Sequence, residues 1–209
     1  MAPEDRRAAL IEATIPLLHE HGLDVSTRQI AEAAGVAEGT IFGVFKDKRS
    51  LIVAAMLQAL DPQPTLDALG EIDPGLDLRF RLIRAADLIN DRFIGNVDLM
   101  TAARVLVHSP ESQPTAADRM ADTRVRLLDA LTSLVEPDSD KLRRSPAAVA
   151  RLLLLFCGAN TYGPFGDPAR FNGEEMVSLL LDGLLVIDTG AEKLTVPLFG
   201  ADSDTTGVP

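Results

Sequence analysis

The first fifty residues alternate between helical runs of apolar positions and short breaks of glycine or polar residues. Apolar side chains recur near helical spacing between residues 4 and 21, and Gly22 then supplies a stop. Pro16 removes one backbone hydrogen bond from this run, so we expect a kink with the proline ring facing solvent. The pattern predicts a first helix over residues 4–21.

Two short helices across a tight turn are predicted next. Ser26 is followed three residues later by Gln29, which is the pattern of a capping box. The helix that starts there ends at Gly35, because glycine suits the backbone conformation that closes a helix. A second helix covers about residues 38–45, and the polar residues 46–48 separate it from renewed helical periodicity.

The rest of the chain also has helical periodicity. Breakers at residues 61–65 and 71–75 predict a hinge or domain boundary, and Asp73 with Pro74 predicts the cap and first position of a new helix. Further helices are expected over about residues 75–95, 97–108, 115–136, 145–160 and 173–188. The prediction is an all-α protein with a three-helix domain at 1–48, a larger helical domain at 49–190 and a disordered tail at 191–209.

Composition and charge support helices and limit the partners. The chain of 209 residues is 46% hydrophobic, has no tryptophan and carries a net charge of −11. That charge argues against nonspecific coating of nucleic acid or anionic membrane. Residues 1–50 hold six basic and eight acidic side chains, so any nucleic-acid site must be local.

Cysteine usage and apolar runs indicate the compartment. Cys157 is the only cysteine, which excludes an internal disulfide and a cysteine-based zinc site. The apolar runs are shorter than the roughly 20 residues that a membrane span needs, and the N-terminus lacks the apolar core of a signal peptide. We predict a cytoplasmic protein with no membrane partner, metal or cofactor.

Residues 21–51, HGLDVSTRQIAEAAGVAEGTIFGVFKDKRSL, carry the most specific motif. This stretch resembles the N-terminal DNA-binding domain of TetR-type transcriptional repressors. It shares a glycine that ends helix one, a Ser-Thr before an Ile-Ala pair, an Ala-Gly-Val turn, a Gly-Thr, and then an aromatic, a Phe, a Lys and a Leu in order. The resemblance implies a helix-turn-helix domain, a larger ligand-binding and dimerisation domain, and a homodimer that releases its DNA operator when a small molecule binds.

The resemblance also implies which residues meet DNA. Thr27, Thr40 and Lys48 match phosphate-contacting positions. Arg28, Gln29 and Glu38 lie where base or phosphate contacts occur. The full predicted set is Thr27, Arg28, Gln29, Glu38, Gly39, Thr40, Phe42, Gly43, Lys46 and Lys48.

Three residues depart from the family pattern. Ala37 cannot cap the second helix, Phe42 lacks the hydroxyl of the usual tyrosine, and Gly43 offers no side chain. We interpret Phe42 as a packing residue in the core, and Gly43 either as a point of close helix approach or as a position that brings the backbone nearer DNA. Glu38 either accepts a hydrogen bond from cytosine N4 or stabilises the helix N-terminus, and both interpretations stay open.

The larger domain is predicted to enclose an effector pocket. A helix with two apolar faces can line a cavity, and a few polar groups among apolar ones suit a small, largely apolar effector. The candidates are Phe80, Ile83, Asp87, Asn90, Met100, Arg104, Met120, Arg124, Leu127, Phe156, Asn160 and Tyr162.

Two late helices are apolar around more of their circumference than one core requires. Residues 147–160 and 174–187 are therefore predicted to form a four-helix interface between two subunits. The candidates are Ala150, Leu154, Gly158, Met176, Leu180, Gly183, Leu184 and Ile187. A dimer also suits two half-sites about one turn of DNA apart.

Two other functions were weighed against a ligand-responsive repressor of a palindromic operator. An enzyme is disfavoured because His19 and His21 do not share a helix face and Cys157 has no neighbouring base in the sequence. A helical small-molecule-binding or scaffold protein with weakened or lost operator recognition is the alternative that Phe42, Gly43 and the acidic charge motivate.

Overall fold

The computed structural model describes residues 2–107, 114–161 and 170–184, which form ten α-helices and no strand. The helices are α1 (Pro3–His21), α2 (Thr27–Ala33), α3 (Glu38–Phe42), α4 (Lys48–Ala59), α5 (Gln63–Gly70), α6 (Leu78–Gly95), α7 (Val97–Val107), α8 (Pro114–Val135), α9 (Pro146–Thr161) and α10 (Gly173–Leu184). The all-α prediction is confirmed, and the predicted disordered tail lies outside the described residues.

Helices α1 to α4 surround the first of two apolar cores. Its fully buried side chains include Leu10, Ile30, Ile41, Leu51 and Leu99. Burial of a leucine or isoleucine side chain contributes about 1.5–3 kcal/mol, so this core accounts for much of the stability of four short helices. Because Leu99 belongs to α7, the N-terminal bundle packs directly on that helix.

Helices α5, α6, α8, α9 and α10 surround the second core. Leu82, Ile89, Leu131, Leu153 and Val177 are fully buried there. Cys157 lies in the same core, and burial raises the pKa of its thiol to about 12. The thiol is therefore protonated at neutral pH and is a packing group.

Two predictions of local structure in the first helices are confirmed. Pro16 lies inside α1 with its ring exposed to solvent. Ser26 and Gln29 form the predicted capping box, since the Gln29 N–H donates to Ser26 Oγ at 3.2 Å and the Ser26 N–H donates to Gln29 Oε1 at 2.8 Å.

The stretch between α4 and α6 differs from the prediction. It contains the unpredicted helix α5, whose first turn includes Pro64, a position where a missing N–H costs nothing. The prediction that Asp73 caps α6 is wrong. Asp73 instead accepts the Gly75 N–H in a turn at 2.8 Å, and Asp77 caps α6 by accepting the Arg79 N–H at 2.9 Å.

A buried ion pair joins α6 to the 3₁₀ segment Glu136–Lys141 that follows α8. The Arg81 side chain is 1% exposed and donates to Asp138 Oδ2 and to the carbonyl of Pro74. Lys141 donates to the other oxygen of Asp138 at 2.5 Å. The segment between α8 and α9 is thereby fixed to the central helix of the second core.

Candidate functional site

Helices α2 and α3 form a helix-turn-helix whose inner side is closed by small and branched apolar residues. Ile30, Ala31 and Ile41 are buried between the two helices and α1. Gly35 has a φ of 65°, a left-handed conformation that side chains disfavour. The Val36 N–H closes the turn on the carbonyl of Ala31 at 3.0 Å, so the turn is fixed by backbone geometry.

The outer side of α2 and α3 exposes most of the residues predicted to meet DNA. Arg28, Glu38, Gly39, Phe42, Gly43 and Lys46 are exposed, and Thr27, Gln29, Thr40 and Lys48 are partly exposed. Ala37 precedes α3 without a side-chain capping bond, as predicted from its methyl group. The uncapped N–H groups of the first turn of α3 are thus available to an external acceptor.

Four of these residues already have side-chain partners within the chain. Thr27 Oγ1 donates to Glu38 Oε1 at 2.5 Å, which ties α2 to the start of α3. Gln29 is engaged in the capping box with Ser26. Lys48 Nζ donates to the carbonyl of Leu23 at 3.3 Å. A DNA contact by any of the four must either replace one of these bonds or form in addition to it.

The interpretation of Phe42 as a core residue is wrong. Its side chain is 55% exposed, because α3 turns Ile41 inward and Phe42 outward. The interpretation of Gly43 as a point of close helix approach is also wrong. A Cβ at Gly43 would meet the carbonyl of Thr40 in its own helix at 3.4 Å, and no atom of another described helix lies within 4 Å.

Two interactions stabilise the segment between α3 and α4, one made by α1 and one at the start of α4. The Arg7 guanidinium lies over the Phe45 ring, 4.3 Å from its centroid. Asp47 caps α4 by accepting the Ser50 N–H at 2.7 Å, and this backbone hydrogen bond lowers the pKa of Asp47 below its usual value of 3.8. The sequence interpretation missed this cap, although an aspartate followed three residues later by serine indicates it.

We expect Glu38→Gln to raise the affinity for random-sequence duplex DNA about two- to fivefold at low salt. The substitution removes a negative charge from a face that approaches phosphates, which is worth at most about 1 kcal/mol in water, and glutamine still accepts the Thr27 hydroxyl. Fluorescence anisotropy with a labelled duplex measures the effect. Glu174→Gln, an exposed change on α10, is the control, and an equal rise with both variants would contradict the assignment.

A cavity of about 610 Å³ lies between α6, α7, α8 and α9. Four predicted pocket residues line it: Met100, Met120, Arg124 and Leu127. It is also lined by residues that the sequence interpretation missed, including Leu60, Arg92, Phe93 and Asn96. The sequence contained one signal for these residues, because helical spacing relates Phe93, Asn96 and Met100 across the junction of α6 and α7.

Most other predicted pocket residues do not line this cavity. Phe80 is 61% exposed, and Ile83 packs against the second core. Asp87 accepts the Gly173 N–H at 3.2 Å, and Asn160 bonds the backbone of Phe171. Asn90 is buried outside the cavity lining, and Phe156 stacks at a tilt on Phe171 with centroids 5.8 Å apart. Arg104 and Tyr162 lie outside the residues whose side chains are described.

The predicted dimer residues are also mostly inward. Ala150, Leu154 and Met176 are buried within this chain, and Leu154 and Gly158 line the cavity, so these four are not a free interface. Leu180 packs against the second core. Gly183, Leu184 and Ile187 lie outside the residues whose side chains are described. The exposed apolar side chains of α9 and α10 are instead Leu152, Leu155 and Leu179.

No group of three or more metal-ligating side chains occurs among residues 2–107, 114–161 and 170–184. Within the same ranges no helix combines the length and apolar character of a membrane span.

Comparison with known proteins points to one family. Residues 10–55 match the model of the tetR family of bacterial regulatory proteins. The repressor KstR of Rhodococcus jostii is 28% identical over 155 residues, which cover 73% of this chain and 69% of KstR. The regulator BetI of Klebsiella pneumoniae is 46% identical over 52 residues, or 24% of this chain and 27% of BetI.

Solved structures share the fold along most of the chain. A TetR-family regulator from Mesorhizobium loti has a TM-score of 0.63 at 17% identity, covering 89% of this chain and 100% of its own. A transcriptional regulator from Rhodococcus has a TM-score of 0.60 at 22% identity, covering 90% and 100%. The N-terminal helices therefore match the DNA-binding domain of the tetR family over residues 10–55, and most of the chain shares the fold of these solved regulators.

Proposed function

We propose that this protein is a transcriptional repressor that binds a palindromic operator as a homodimer and releases it when a small, largely apolar effector enters the cavity. The observation that carries the proposal is the outer face of the helix-turn-helix, which presents Arg28 on α2, Thr40 on α3 and Lys46 after the end of α3. A recognition helix held in this way reads base edges in the major groove. The name of the relative from Rhodococcus jostii supports repression.

The cavity supports response to a ligand. Its volume falls in the range of roughly 300–1,000 Å³ that is typical of small-molecule sites. Apolar side chains from α6 to α9 dominate the lining, and Leu60 brings the end of α4 to the same space. A ligand bound here therefore touches Leu60, the C-cap residue that ends α4 and belongs to the first core.

The dimer is proposed on a different face from the predicted one. Leu152 is 41% exposed on α9 and Leu179 is 59% exposed on α10, and large apolar side chains left in solvent favour a partner surface. A second copy buries them and places two recognition helices on half-sites about one turn of DNA apart.

Selection of genomic fragments by the purified full chain tests this function. We expect enrichment of a palindromic sequence, and we expect sedimentation as a dimer at micromolar concentration. The alternative function is a small-molecule-binding or scaffold protein, which the acidic Glu38 on the DNA face motivates. Loss of all sequence enrichment together with intact ligand binding would favour that alternative. Sedimentation as a strict monomer would contradict the two half-site geometry.

A further inference from the structure

The cavity has an unusual charge for this chain. Its described lining includes the two arginines Arg92 and Arg124 and no aspartate or glutamate. The whole chain carries 31 acidic against 20 basic side chains, so a site without a carboxylate departs from the general surface. Two guanidinium groups beside apolar side chains favour an anion, because guanidinium is protonated at neutral pH and attracts a negative charge.

The rest of the lining determines the body of that anion. Met100, Met120, Leu127 and Leu154 present apolar and adaptable side chains, and the other polar groups are the neutral Asn96 and Thr123. Such walls bind a flexible or flat hydrocarbon body, whereas a sugar or nucleotide would leave polar groups unpaired.

We propose that the cavity binds an amphipathic carboxylate, with its hydrocarbon body among the methionine and leucine side chains and its charged group at Arg124 and Arg92. This inference rests on the proposed function only for its effect on DNA. It narrows the largely apolar effector to one class of compound. Guanidinium groups suit this role because they donate two parallel hydrogen bonds to one carboxylate.

Arg92 gives the binding event a route to the DNA-binding helices. Its Nη2 donates to the carbonyl of Leu60 at 2.6 Å and its Nη1 to the carbonyl of Asp61 at 2.8 Å. These carbonyls directly follow α4, whose Leu51, Ala55 and Met56 are buried in the first core. The guanidinium that lines the cavity therefore also holds the end of the helix that carries the N-terminal bundle.

A carboxylate in the cavity competes with those carbonyls for the same donors. Arg92 now donates to two uncharged carbonyl oxygens, and a carboxylate adds the attraction of a full negative charge, so Arg92 turns toward the ligand and releases the end of α4. The ligand contacts Arg92 only when Arg92 has left the end of α4, so ligand binding favours a different position of the N-terminal bundle. The expected consequence is weaker operator binding.

Calorimetry on the full chain with decanoate, decanol and decylamine at neutral pH tests the ligand class. We expect decanoate to bind at least tenfold more tightly than decanol, and decylamine to bind most weakly. Arg124→Met should reduce the preference for decanoate over decanol to threefold or less. The control Arg126→Met, on the same helix but bonded to Gln63 outside the lining, should keep the preference. Equal binding of decanoate and decanol, or no binding of decanoate, would overturn the proposal.

Operator binding separates this inference from the proposed function. Decanoate should raise the dissociation constant for a selected operator fragment in the original chain and leave that constant unchanged in Arg92→Met. If decanoate binds but does not change the operator affinity, the route through Arg92 is wrong. If the chain binds decanoate and no DNA, the ligand class is supported and the repressor function is refuted.

Discussion

Arg81→Met is expected to lower the free energy of unfolding by about 3 kcal/mol. Removing one partner of a buried ion pair typically costs 3–5 kcal/mol, and the Arg81 side chain is 1% exposed. The lower end of that range applies because Lys141 still pairs with Asp138, and because Arg81 Nε has no hydrogen-bond partner among the described atoms. Urea unfolding followed by circular dichroism measures the loss.

Arg79→Met is the matched control on the same helix. Arg79 pairs with Asp182 at 2.9 Å, but its side chain is 34% exposed and that of Asp182 is 69% exposed. Exposed pairs contribute about 0–1 kcal/mol, so the loss should be at most about 1 kcal/mol. Equal losses for the two variants would contradict a special role for the buried pair.

The pH dependence of stability should follow from the same cluster. The hydrogen bond from Lys141, helped by the charges of Lys141 and Arg81 and opposed by burial, lowers the pKa of Asp138 below its usual value of 3.8. A lowered pKa stabilises the folded state above the unfolded value, and this contribution disappears as the pH falls through the folded pKa. The original chain should therefore lose stability below about pH 4, and Asp138→Asn should flatten that part of the curve.

The double substitution Arg28→Ala/Lys46→Ala is expected to weaken operator binding about 100-fold at physiological salt. An arginine that contacts a base contributes about 1–3 kcal/mol, and each phosphate contact contributes about one unit to the slope of log affinity against log salt. Both side chains are exposed beside α3. Anisotropy titrations over a series of salt concentrations should show both the weaker affinity and a shallower slope.

Arg84→Ala/Arg143→Ala is the control for that result. Both arginines are exposed outside the first four helices, Arg84 on α6 and Arg143 before α9. The variant therefore has the same net charge as the first variant. It should bind the operator within about twofold of the original chain, since these charges lie outside the recognition face. If both variants lowered the operator affinity equally, the cause would be the overall charge of the protein and not the residues beside α2 and α3.

The helix-turn-helix could be predicted because its determinants are local. These determinants act within a few residues of one another: the cap at Ser26, the glycine at residue 35, and the periodic apolar positions Ile30, Ala31 and Ile41. The prolines at 62 and 64 were interpreted as breakers alone, although proline is also tolerated in the first turn of a helix, and α5 was missed for that reason.

The orientation of apolar helix faces could not be predicted in the same way. Helices α9 and α10 are apolar on several sides, so periodicity alone does not distinguish Leu154, which is buried, from Leu155, which is half-exposed. Phe42 is exposed for the same kind of reason, since only the packing of α3 on α2 decides which side faces the core. The role of Arg92 depends on a contact with Leu60, which is 32 positions away in sequence.

The repressor assignment is tested most directly by one ratio of affinities. The full chain is titrated with a fragment enriched by genomic selection and with a scrambled fragment of the same length, at one physiological salt concentration. Specific regulators bind their sites typically at least 10³-fold more tightly than other DNA. We therefore expect the dissociation constant for the scrambled fragment to exceed that for the enriched fragment by about 10³-fold. Equal affinities for the two fragments would contradict it.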